Sequence, residues 1–253
     1  MNETRTDIMG MPIVVEVLGV PEEAARRALR RVFDYFKSVD ERFSTYKSGS
    51  EIMRLNRSEI GENERSGEMR EIFELADRTR RESGGYFDIR RPDGILDPSG
   101  VVKGWAIRNA ARILAEEDVE HFYIDAGGDI QTGGRNAADR EWSVGIQSPF
   151  SAREIVKVLY PRGRGVATSG TYRRGRHIYN PNAAGRPAEG LVSLTVVGPD
   201  VCEADRFATS AFAMGKDGVA FIAALPGFEG YAIDEEGRAI MTAGFAAYTA
   251  AEK

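Results

Sequence analysis

Residues 13–18 read Ile-Val-Val-Glu-Val-Leu, a β-branched stretch that predicts a buried strand. Pro21 then opens a helix, because proline is tolerated in a first turn whose N–H groups lack partners anyway. Ala25, Leu29, Val32, Phe33 and Phe36 recur at helical spacing, and Arg26, Arg27, Arg30 and Arg31 fill the other side as a solvated face. The same period predicts a second helix over 66–82, through Ile72, Phe73, Leu75 and Ala76, stopped by Gly84-Gly85. A third runs from near Val102 to about Glu117. The pattern then changes: His121–Ala126, 142–147, 155–160, 165–169 and Leu191–Gly198 read as short strands separated by Gly, Pro and Asn. A helix over 203–214 follows, then another to residue 225, ended by Pro226-Gly227. Residues 231–233 and 238–242 form a closing hairpin through Asp234-Glu235-Glu236-Gly237. Helices gather early and strands late, which predicts an α+β fold of mainly antiparallel sheets packed with helices rather than a regular βαβ alternation. With no internal repeat or low-complexity tract, a single domain over residues 1–253 is expected.

Composition narrows the partners. The chain has 253 residues, 42% hydrophobic and 29% charged, within the range of ordinary globular proteins. A net charge of −5 argues against nucleic acid and anionic lipid surfaces as ligands. Cys202 stands alone, and His121 and His177 are the two histidines, so an intramolecular disulfide, a cysteine-cluster metal site and a multi-histidine zinc site are excluded. Any metal would be a hard, oxygen-ligated ion. No apolar stretch is long enough for a signal peptide or a membrane helix, so no membrane insertion is expected and the chain as written reads as cytoplasmic. An exported protein whose leader had been removed would read the same.

Five segments are richer in Gly, Asp, Thr and Ser than packing requires. Tyr86-Phe87-Asp88, directly after two glycines, suits a flat heteroaromatic ligand, and it also reads as a helix-ending turn with one core aromatic. The run from Leu96 to Ala106 carries Asp97, Gly100 and Lys103 from a loop into a helix, where free N–H groups and the lysine suit a phosphate. It is not a Walker A loop, since the glycine spacing is wrong. Asp125-Ala126-Gly127-Gly128-Asp129 pairs two carboxylates that serve equally as metal ligands, as an acid and base, or as turn residues. His177, amid Arg173, Arg174 and Arg176, is placed to stay neutral as a general base, or is an exposed loop histidine. Asp205 and Thr209, four apart on a predicted helix, share a face and match the sparse protein shell of Mg²⁺, a pairing also common by chance.

In this order the segments resemble the ApbE family of flavin transferases. Met9-Gly10-Met11 is similar to the family's opening Met-Gly-Thr, and Phe43-Ser44-Thr45-Tyr46, Ser50-Glu51 and Leu55-Asn56 to its Phe-Ser-x-Tyr, Ser-Glu and Leu-Asn motifs. Phe87-Asp88, Lys103-Gly104, Asp125 to Asp129, Ala167-Thr168-Ser169-Gly170, His177-Ile178 and Asp205 to Thr209 continue the match. The resemblance implies that FMN moves from FAD to a protein threonine or serine. It implies FAD contacts from Met9, Tyr46, Tyr86, Phe87, Asp88, Asp97, Lys103 and Ile178, with Mg²⁺ held by Asp205, Thr209 and a backbone carbonyl near Gly100. His177 matches the histidine that takes the acceptor's proton, and the acceptor is another flavoprotein. Two segments depart from the pattern. The family's His-Ile-x-Asp-Pro-x-Thr-Gly becomes 177–185, one residue longer and with Asn180 in place of an acid, and Ile89-Arg90-Arg91-Pro92 replaces a Pro-Thr-Val run. Two other outcomes remain open at this level: a Mg²⁺-dependent FAD pyrophosphatase, with water as acceptor, and a flavin-binding protein without turnover.

Overall fold

The computed structural model describes residues 1–171, 178–183 and 185–250. Strands β1 (Asn2–Ile8), β2 (Met11–Leu18), β3 (His121–Ala126), β4 (Asp129–Gly133), β7 (Gly165–Gly170), β10 (Leu191–Gly198), β11 (Glu229–Asp234) and β12 (Ala239–Met241) join in that order into one eight-stranded sheet, antiparallel at every pairing. Strands β5 (Val144–Ser148) and β6 (Ser151–Leu159) form a separate hairpin, and β8 (Tyr179–Asn180) pairs with β9 (Arg186–Pro187). The helices are α1 (Glu22–Phe43), α2 (Glu51–Asn56), α3 (Gly67–Glu82), α4 (Ser99–Glu116), α5 (Val201–Ala213) and α6 (Asp217–Ala224). The expected α+β, antiparallel architecture is the one observed. Among the described residues no helix is long and apolar enough to cross a membrane.

Alternation along the strands sorts the core. Ile13, Val15 and Val17 of β2 and Phe122, Ile124 and Ala126 of β3 turn inward beneath α1, α3 and α4. On β7 and β10, Ala167, Leu194 and Val196 face α5, while Val166 and Val197 face the opposite side and pack with Val144, Ile146 and Leu159 of the β5–β6 hairpin. Helices therefore cover one face of the sheet and the hairpin covers part of the other.

The sequence pattern does not predict β1, β4 or α2. β1 is an edge strand with both faces largely solvated, so it carries no hydropathy signal. β4, Asp-Ile-Gln-Thr-Gly, is buried in mid-sheet, and its polar residues answer tertiary partners: Gln131 Oε1 accepts from Val201 N–H at 2.9 Å while its Nε2 donates to the Gly163 carbonyl at 2.8 Å. The six residues of α2 are too few to show a period.

Candidate active site

Two hairpin turns, the start of one helix and the middle of another converge at one end of the sheet. The β1–β2 turn, Met9-Gly10, and the β3–β4 turn, Gly127-Gly128, are two-residue hairpin loops whose four residues all have positive φ, between 55° and 96°. Primed turns of this kind fit the twist of antiparallel strands, and glycine reaches that backbone region without a Cβ penalty. Beside them lie the N-terminal turns of α4 and the middle of α5. Together they bound a cleft of about 1200 Å³, above the usual range for small-molecule pockets. The cleft wraps over the strand ends from the helical face to the hairpin face, where Val144 and Ile146 form its far wall.

The described candidates all line this cleft: Met9, Tyr46, Tyr86, Phe87, Asp88, Asp97, Gly100, Lys103, Ile178, Asp205 and Thr209. His177 lies outside the described residues. Tyr46 stands on the rim, 98% exposed. Phe87 is buried in the core beneath α4, and a Cβ at Gly100 would meet its ring edge at 2.8 Å, so the residue is a core aromatic as well as a cleft wall. Asp88 faces Arg80 at 3.3 Å and accepts from the Arg90 N–H at 2.7 Å. Asp97 accepts from the Ser99 N–H at 3.1 Å and from the Ser99 hydroxyl, which fixes the start of α4.

The centre is made by α4 and α5, which touch at Gly104. A Cβ there would lie 2.7 Å from Asp205 Cβ and 2.7 Å from the Val201 carbonyl. At this approach the Gly104 N–H donates to Asp205 Oδ2 at 2.8 Å. Asp205 is 4% exposed, and one helical turn further on Thr209 Oγ1 stands 3.5 Å from Ser169 Oγ. Burial pushes the Asp205 carboxyl up to about 8, the neighbouring Asp129 carboxylate adds to this, and Lys103 and the Gly104 N–H oppose it.

The start of α4 requires a correction. The helix expected to begin near Val102 begins at Ser99, so Lys103 sits a full turn in from the N-terminal N–H groups rather than among them. Its Nζ lies 2.7 Å from Asp129 Oδ2 and 4.0 Å from Asp205 Oδ1. Asp129, which the sequence leaves open as metal ligand, acid or base, or turn residue, is the ion-pair partner of Lys103. It is 1% exposed and its Oδ1 accepts from the Thr168 N–H at 3.1 Å. The available signal was its aspartate following two glycines, which ordinary turn chemistry also explains. Asp125, the other carboxylate of that segment, accepts the Gly128 N–H at 2.7 Å and does serve the turn.

Among the described residues no group of three or more His, Cys, Asp or Glu side chains is placed to hold a metal ion. The side-chain donors that Asp205 and Thr209 bring to the cleft, a carboxylate and a hydroxyl, are both oxygen. Two buried acids face one ammonium, so Asp205 is held protonated without metal, and a hard divalent cation would displace that proton and balance the carboxylate. The residues therefore fit such an ion.

The architecture occurs in solved flavin transferases. The fold superposes on the structure titled Flavin Transferase ApbE from Vibrio cholerae with a TM-score of 0.85 at 21% identity, covering 98% of this chain and 99% of that one. The apo flavinyl transferase ApbE of Pseudomonas stutzeri gives 0.85 at 20% identity, with 98% and 96% covered. A sequence model of the ApbE family matches residues 9–91 and 89–232. The chain belongs to the ApbE family. Relatives named FAD:protein FMN transferase include that of Escherichia coli (strain K12), 31% identical over 167 residues, which are 62% of this chain and 47% of the relative. That of Salmonella typhimurium is 32% identical over 161 residues, 60% and 46% of the two chains. The chain spans about half the length of these relatives.

Proposed function

We propose that the chain transfers FMN from FAD to a threonine or serine hydroxyl of an acceptor flavoprotein and releases AMP. The observation that carries this reading is the meeting of Asp205, Thr209 and Lys103 in one cleft large enough for a dinucleotide, with the buried Asp129 holding the lysine at 2.7 Å. The names of the matched relatives support it. Asp205, Thr209 and the Gly100 carbonyl would hold Mg²⁺, which when bound supplies positive charge to the pyrophosphate. Lys103, 4.0 Å from Asp205, brings its ammonium to the same phosphates and offsets charge growing on the departing AMP. Met9, Tyr46, Tyr86, Phe87, Asp88, Asp97 and Ile178 bind FAD around the walls, with Tyr46 and Tyr86 offering ring faces to its planar groups. His177 takes the proton of the acceptor hydroxyl. The hydroxyl oxygen bonds to the FMN phosphorus, the pyrophosphate P–O bond breaks, and AMP leaves with the electron pair.

The test is mass spectrometry of a threonine-containing acceptor after incubation with FAD and Mg²⁺. The expected result is the addition of one FMN, reduced by ~10²–10³ in rate in Asp205→Ala. An Asp205→Ala chain that transfers at the wild-type rate overturns the metal assignment. AMP release without an acceptor would make the chain a pyrophosphatase, and FAD left intact under all conditions would make it a flavin-binding protein.

A further inference from the structure

We infer that Asn56 is a positioning residue that ties two walls of the flavin cleft together by standing in for a missing β-strand. The inference rests on the flavin reading of the cleft for its functional part and on geometry for the rest.

Residues 89–97 fold back as a narrow hairpin. Asp97 N–H donates to the Ile89 carbonyl at 2.7 Å and Arg91 N–H to the Ile95 carbonyl at 2.9 Å, with Arg90 and Leu96 bridged between them. In an antiparallel pair, alternate residues turn both backbone polar groups away from the partner strand, so Leu96 presents its N–H and C=O outward. An unpaired, half-buried amide is costly, and only a group that accepts and donates side by side can satisfy both. The carboxamide of Asn56 does so: Oδ1 accepts from Leu96 N–H at 2.8 Å and Nδ2 donates to the Leu96 carbonyl at 3.0 Å.

Each end of this contact leads to the cleft. Asn56 closes α2, whose N-cap Ser50, 1% exposed, accepts from Met53 N–H at 3.3 Å and donates to the Ser44 carbonyl at 2.7 Å. Ser44 and Tyr46 line the rim on that side. On the other side, Leu96 is followed by Asp97, which holds Ser99 and so sets the first turn of α4, where Gly100 lies one turn before Lys103. Asn56 itself is not among the residues lining the cleft. It fixes the distance between the Tyr46 rim and the Asp97 wall.

The test uses the full chain with Asn56→Ala and Asn56→Asp. Asp keeps the acceptor for Leu96 N–H but cannot donate to the carbonyl. Two measurements are made: hydrogen exchange of the Leu96 amide, and FAD binding together with KM and kcat. The expected result in Asn56→Ala is Leu96 exchange about 10-fold faster, with FAD Kd and KM raised by about 10-fold and kcat within about 2-fold of wild type. Asn56→Asp is expected to keep Leu96 protected while still losing FAD affinity, because the hairpin is then held by one bond instead of two. Unchanged Leu96 exchange in Asn56→Ala overturns the clamp. Faster exchange with unaltered FAD affinity overturns the positioning role, as does a fall in kcat with KM unchanged. If the wild-type chain binds no FAD, the flavin reading fails, and the exchange measurement still decides whether the clamp exists.

Discussion

The protonation of Asp205 can be read from stability. Its folded value, raised to about 8 by burial and Asp129, lies above the unfolded value of about 4. Between these two values the native state holds a proton that the unfolded chain has released, so metal-free stability falls as pH rises through that window. Asp205→Asn keeps an acceptor for the Gly104 N–H and has no charge to bury. The metal-free Asn variant is therefore expected to melt at the wild-type Tm near pH 4 and several degrees above it near pH 8, measured by thermal unfolding in a chelator. Equal Tm differences at both pH values would show that the carboxyl is ionised throughout. The pair Asp205 and Thr209 was legible from spacing alone, because one helical turn brings such residues onto one face whatever surrounds them. The assignment of Asp129 was not, since it depends on Lys103 arriving from a helix 26 positions earlier in the chain, a contact that no local pattern encodes.

Among the elements, the contact of α4 with α5 is the most exacting. Gly104 leaves room for no side chain: an added methyl would overlap Asp205 Cβ, the Val201 carbonyl and the Cys202 backbone, at 2.7 to 2.9 Å. Glycine in a helix interior ordinarily costs up to about 1 kcal/mol relative to alanine, so on propensity alone Gly104→Ala would stabilise. Overlap with backbone reverses the sign, and the substitution is expected to destabilise by about 1–3 kcal/mol in chemical denaturation, with metal binding weakened as Asp205 shifts. A more stable Gly104→Ala chain would mean that the helices separate without penalty. The helices themselves were legible wherever one face is buried and the opposite one charged, as in α1 with Leu29, Val32 and Phe36 inside. Strands β1 and β4 break that rule in opposite ways, one polar because it is an edge, the other polar because its neighbours supply partners.

For the whole molecule, ligand binding and folding are linked. A cation that binds the native cleft raises Tm by mass action, and it competes with the proton on Asp205. The Mg²⁺-induced rise in Tm is therefore expected to be small near pH 5 and to grow towards pH 8, and to disappear in Asp205→Ala. A shift of the same size at every pH would point to ion binding elsewhere. The protein's remaining chemical handle lies next to this seam. Cys202, the lone thiol of the chain, is buried on α5 with its backbone 2.9 Å from the position a Gly104 side chain would take, and burial pushes its thiol up to about 12. While the two helices stay together the sulfur is shielded and protonated, and a thiol-directed dye can label it only after they part. The speed of labelling thus counts how often the molecule opens along this line, making an unreactive cysteine a clock for the integrity of the cleft.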